Sequence, residues 1–178
     1  YIGNSMDLGA NGIGGITISF PITIVLLAIG ILFGQGGATL FSMNLGAGKR
    51  EGAEKALGNS FIMLIFVGFL YILIGQIFLV PLLTLFGASE IILPYAVEYM
   101  RYILFGSIFH VVSMGLNNFI RADGNPKLAM YTMFFGAGTN IILDPIFIYG
   151  FKMGMAGAAI ATIISQLFSF IWVVSYFL

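Results

Sequence analysis

Asn140 and Asp144 stand four residues apart in the run Thr139-Asn140-Ile141-Ile142-Leu143-Asp144-Pro145, and Asp144 is the only acid in this otherwise apolar stretch. On a helix that spacing stacks the amide and the carboxyl on one face, with Gly136 one turn earlier on the same line. Pro145 has no N–H, so the helical carbonyl of Ile141 is left without its donor. A carboxylate, an amide and a free carbonyl within about one turn make an oxygen-rich cluster able to hold a proton or a hard cation such as Na+. A charged side chain at membrane depth costs roughly 2.5–3.5 kcal/mol on insertion scales, which points to a task or a partner. The alternative is structural: a protonated Asp144 hydrogen-bonded between helices.

Other polar groups carry weaker signals. Glu98 and Arg101, three apart, suit an ion pair on one helix. His110 has Ser107 and Ser113 at three-residue spacing, a Ser–His arrangement that raises an intramembrane hydrolase. No oxyanion-hole motif accompanies it, and an interhelical hydrogen bond accounts for it better. Gly46-Ala47-Gly48-Lys49-Arg50 departs from a phosphate-binding loop, with Arg50 where Ser or Thr is required. Gln35, Thr39, Asn44, Asn117, Thr162 and Gln166 are uncharged polar residues in apolar surroundings, suited to joining helices.

The elements that must position these groups follow from composition. Of 178 residues, 60% are hydrophobic and 8% charged, where a soluble domain carries about 25% charged residues. No Asp, Glu, Lys or Arg occurs in 8–48, 56–89, 102–120 or 153–178. Spanning a bilayer takes about 20 apolar residues as helix. A fifth segment, 126–150, qualifies apart from Asp144, and the expectation is an all-α polytopic membrane protein with five transmembrane helices. With no cysteine, the chain has neither disulfides nor thiolate metal sites. The start at Tyr1 and the apolar end Ser175-Tyr176-Phe177-Leu178 suggest an internal piece of a longer protein.

The predicted helices run over about 12–45, 54–86, 89–120, 125–149 and 154–178, with residues 1–11 a loop and 49–58 a charged connection. Pro81 is expected to kink the second helix and Gly87 to end it; Ser89 and Asn125 are expected N-caps, and Pro126 suits the first helical position. Lys49, Arg50 and Lys55 follow the first helix, and Arg121 and Lys127 follow the third. Basic residues collect in cytoplasmic loops, which places both connections inside the cell. Small residues at four-residue spacing, Gly150-Gly154-Ala158 among them, let helix backbones approach closely.

Four motifs in order resemble the multidrug and toxic compound extrusion (MATE) family across the whole chain. They are Gly46-Ala47-Gly48 with its basic residues and Ala56; Ile120-Arg121-Ala122-Asp123-Gly124-Asn125-Pro126-Lys127; Asn140-Ile141-Ile142-Leu143-Asp144-Pro145 with Phe147-Ile148; and Gly154-Met155-Ala156-Gly157-Ala158-Ala159-Ile160-Ala161-Thr162. The resemblance implies a twelve-helix transporter of two six-helix lobes in the inner membrane of a prokaryote. Residues 1–178 would form a partial amino-terminal lobe, family helices two to six, without the first helix and the second lobe. It also implies antiport: export of organic, often cationic, drugs in exchange for H+ or Na+, with no enzymatic step, no cofactor beyond the coupling ion and no nucleic-acid partner. Asn140 and Asp144 match the family's cation-coupling pair, Thr162 a supporting position near it, and Asn117 a polar position that sits too close to the cytoplasm to touch Asp144. No metal is implied beyond Na+ at Asp144 and Asn140. A lipid-linked saccharide flippase of the same wider superfamily remains an alternative, although this stretch has no basic residue at a helix centre. An intramembrane enzyme and a purely structural subunit are further alternatives.

Overall fold

Runs without charge wind into helices because the lipid interior gives the backbone no partner but itself. The computed structural model describes residue 2 and residues 9–178. Within them lie α1 (Gly9–Gly46), α2 (Arg50–Ile77), α3 (Leu79–Leu85), α4 (Leu93–Ala122), α5 (Pro126–Pro145) and α6 (Gly154–Phe177), with a π-helical turn, Ile146–Gly150, after α5. Five segments are long and apolar enough to span a membrane, α5 and its π-turn counting as one.

Several boundaries differ from expectation for physical reasons. The expected 1–11 loop lies mostly outside the described residues, and α1 begins at Gly9. The expected 49–58 connection shrinks to a tight turn at Ala47–Lys49, where Gly48 takes φ +71° and the Lys49 N–H reaches the Asn44 carbonyl at 2.8 Å. Helix α2 then starts at Arg50, and Lys55 pairs with Glu51 at 2.6 Å. The break expected at Pro81 falls at Phe78 instead. A helical proline clashes with the carbonyl four residues earlier, which is that of Ile77, the last residue of α2. Gly87 closes α3 with φ +94°. Ser89 is not a cap: its carbonyl takes the N–H groups of Ile92 and Leu93, and α4 begins at Leu93. Pro126 holds the first position of α5, but the Asn125 side chain does not cap it and donates to the Tyr176 hydroxyl at 2.6 Å instead. Glu98 and Arg101 do not form an ion pair; Lys55–Glu51 is the only one among the described residues.

Helix α4 is the axis of the bundle, with α1, α2 and α6 packed around it. The face that α1 turns to it is mostly small: Gly12, Gly15, Ser19, Gly30, Gly34, Gly37 and Ala38 are all buried. Small residues let backbones close in, which substitutes for the hydrophobic drive that lipid cannot supply. The closest crossing sets Gly34 on Gly115, where a Cβ on Gly34 would lie 2.6 Å from the Gly115 Cα. Phe119 and Phe41 meet edge-to-face beside it at 5.5 Å. Helix α5 lies at the rim, packed mainly on α6 and burying only Ala129 and Thr132.

Candidate functional site

The polar stripe of α5 meets α6 across a small-residue contact. The missing Cβ of Gly136 leaves room for the Ser169 hydroxyl of α6, so the two helices lie close at that level. One turn further out, the Asn140 amide donates both to Asp144 Oδ1 and to Thr162 Oγ1, each at 3.3 Å. Thr162 in turn donates to the Ala158 carbonyl at 2.9 Å, which fixes its oxygen toward Asn140. Immediately beyond Asp144, Pro145 ends the α-helix and the chain widens into the π-turn, closed by the Phe151 N–H on the Ile146 carbonyl at 3.0 Å. Such turns recur at functional sites.

Tyr99 adds to the cluster from α4, its hydroxyl lying near Thr162 and Asp144. Sequence reasoning missed it, because a tyrosine one residue from Glu98 near a helix end reads as an interfacial anchor. The cluster thus joins three helices through one carboxyl and three neutral oxygen-bearing side chains. No group of three His, Cys, Asp or Glu that could hold a metal ion occurs among the described residues. One carboxylate with neutral oxygens balances a single positive charge, which suits a proton or a monovalent cation.

A cavity of about 540 Å³ opens from this cluster toward the basic-loop end, between α4, α5 and α6. Asn140 and Thr162 form its outer end, and Asp144 lies just beyond. From α4 come His110, Ser113, Asn117 and Arg121, at helical intervals of three and four; from α6 come Ser165, Gln166 and Ser169. Met114, Met133 and Leu27 give it apolar wall. Asn117 is buried, and its amide donates to the Ala129 carbonyl at 2.9 Å, so it ties α4 to α5 and lines the cavity away from Asp144. His110 faces the same cavity with Ser113, whereas Ser107 turns elsewhere and donates to the Leu104 carbonyl at 2.6 Å. No nucleophile–base pair forms there. The α6 serines were not singled out in the sequence, although their spacing with Thr162 and Gln166 was visible in it.

The same chain has relatives of known class. The MatE family profile matches residues 4–146. The multidrug export protein MepA of Staphylococcus aureus is 31% identical over 166 residues, covering 93% of this chain and 37% of MepA. An FAD transporter of Shewanella oneidensis is 32% identical over 165 residues, covering 90% of this chain and 36% of that protein. A crystal structure of MATE in the bent conformation matches with a TM-score of 0.92 and 29% identity, over 96% of this chain and 38% of the other. The chain therefore spans a little over a third of the length of the curated relatives it matches. With the profile covering most of the sequence and the five spans superposing on a solved MATE structure, this chain belongs to the MatE family of multi-pass cell-membrane transporters.

Proposed function

We propose that residues 1–178 are part of the amino-terminal lobe of a two-lobe, cation-coupled antiporter, without its first helix, that exports organic, often cationic, compounds and performs no covalent chemistry. The observation that carries this reading is the Asp144–Asn140–Thr162–Tyr99 cluster at the head of a cavity of drug-like volume. Asp144 takes H+ or Na+. Asn140 orients it and, when Na+ binds, turns its carbonyl oxygen to the ion, with Thr162 as a further ligand. Asn117 lines the compound's path.

Coupling needs the ion and the compound to favour different states of the lobe. The Asn140 amide offers such a link, because it bridges the carboxylate on α5 to Thr162 on α6. Neutralising Asp144 weakens its pull on that amide, since hydrogen bonds to ionised acceptors are roughly twice as strong as neutral ones. The amide is then free to bond Thr162 more strongly, and the α5–α6 contact tightens at the level where the π-turn can absorb movement. The opposing lobe rocks about the site to complete alternating access.

Efflux of ethidium from cells expressing the two-lobe protein tests the reading, with H+ and Na+ gradients imposed separately. Wild type should export under one gradient, which names the ion, and Asp144→Asn at equal membrane abundance should not. Equal export by both proteins would make Asp144 structural and overturn the proposal.

A further inference from the structure

The two ends of the cavity are chemically unlike. The outer end abuts Asp144; the inner end closes on Arg121, and no carboxylate lines the space between. Arg121 lies eleven residues after His110, three helical turns, so both project from the same face of α4 about 16 Å apart along the axis. Among the described residues the Arg121 guanidinium makes one side-chain hydrogen bond, to the Met133 sulfur at 3.4 Å, a weak acceptor, and no ion pair.

Donor bookkeeping along the cavity gives the same sign. One amide N–H each of Asn117 and Asn118 goes to the carbonyls of Ala129 and Met114, leaving a second, and the hydroxyl hydrogens of Thr132 and Ser165 go to those of Leu128 and Ala161. His110, Ser113 and Ser169 line the cavity without a hydrogen-bond partner among the described residues. The Gln166 oxygen is buried and unpartnered, against Gly106, where a Cβ would lie 3.1 Å from it, which leaves the Gln166 NH2 as the end open to the cavity. Donors therefore remain open along the cavity beside neutral hydroxyl oxygens, and one of those donors is a full cation. The free carbonyls of Asn117 and Asn118 add acceptors suited to neutral O–H or N–H groups.

Resting on the reading above that this cavity holds the exported compound, we propose that its inner half is an anion subsite. It takes a carboxylate or phosphate carried on a polar arm, with Arg121 reading the charge, the free Asn117 and Asn118 carbonyls accepting from the arm, and His110 and Gln166 left for polar groups at the compound's far end. The planar or apolar body of the compound lies against Met114, Met133 and Leu27, where thioethers adapt to varied shapes. Arg121 matches a phosphate or carboxylate through two parallel N–H donors, a geometry that lysine does not reproduce.

Binding of riboflavin 5′-phosphate and of riboflavin to the two-lobe protein in neutral-lipid nanodiscs separates the charge from the ring. The phosphorylated form should bind about tenfold more tightly or better, as a charge-assisted bidentate contact implies. Arg121→Gln should bring the ratio near one, Arg121→Lys should leave an intermediate ratio, and added salt should lower the wild-type ratio. A wild-type ratio near one, or one unchanged in Arg121→Gln, overturns the subsite. If phosphatidylglycerol in the nanodisc abolishes the wild-type preference, Arg121 holds a lipid headgroup and the proposal also fails. Binding is read without an ion gradient, so loss of the coupling mechanism would leave this result standing.

Discussion

Helices α4 and α5 are joined by three residues yet are built for opposite purposes. α4 buries a stripe running from Ala96 to Ile120, with Leu104, Val112, Phe119 and Ile120 fully enclosed. α5 buries two residues and turns Phe134, Phe135, Ile141 and Ile142 outward. α4 is held by packing against α1, α2 and α6. α5 is held on one narrow face, mainly against α6, and that face carries Asp144 within the span. A scaffold beside a lightly held helix with a titratable group is an arrangement in which a small change of charge can move one element and leave the rest in place.

Asp144→Asn should separate the two roles most sharply. It keeps the shape of the side chain and removes its charge, so coupled export should fall to background. Thermal unfolding of the purified two-lobe protein should shift by no more than about 1 kcal/mol, the range for substitutions outside packed cores. A large loss of stability would mean that α5 is part of the scaffold after all.

Gly115→Leu probes the other side. Gly115 touches Gly34 of α1 and Leu64 of α2 at once, and a Cβ there already overlaps the Leu64 side chain. Overpacking of this kind costs about 3 kcal/mol, which should appear as loss of monodisperse protein and a lowered Tm. Tolerance of leucine would show that α1 and α2 slide on α4 and that the axis is softer than its burial implies.

Tyr176→Phe asks how α5 is anchored at its first turn. The Tyr176 hydroxyl donates to Asp123 at 2.5 Å and accepts from Asn125 at 2.6 Å, joining the end of α6 to the loop that starts α5. Removing it should cost about 1 kcal/mol and speed hydrogen exchange in the first turn of α5, with α4 unaffected. Unchanged exchange there would mean that Pro126 and packing alone fix the helix start.

Much of this contrast was legible in the residues. The charge-free gaps set the number of spans, and the four-residue spacing of Gly136, Asn140 and Asp144 showed the polar face of α5 before its partners were visible. Local rules failed where distant contacts competed with them. Asn125 looked like a cap because only its neighbours are visible in the sequence, while its actual partner, Tyr176, lies 51 residues away. Tyr99 went unnoticed for the same reason, since nothing local to it suggests Thr162. The cavity was invisible for another: His110, Asn117 and Gln166 each read as helix joiners, and only the crossing of α4 with α6 brings their faces to one space.

The Asn140–Thr162 contact is where scaffold and moving helix meet on the α6 side, and its strength bounds the whole mechanism. At 3.3 Å the bond is long, and the same amide hydrogen-bonds Asp144 at equal distance. Interhelical side-chain bonds in membrane proteins average about 0.6 kcal/mol in double-mutant cycles. A cycle of Asn140→Ala and Thr162→Val should return a coupling of that order while Asp144 is charged. Repeated in an Asp144→Asn background, the coupling should change, because the shared amide no longer divides between a charged and a neutral acceptor. An equal coupling in both backgrounds would mean that the α5–α6 bond does not sense the carboxyl. The ion would then have to act through Tyr99, the cluster's remaining link to α4.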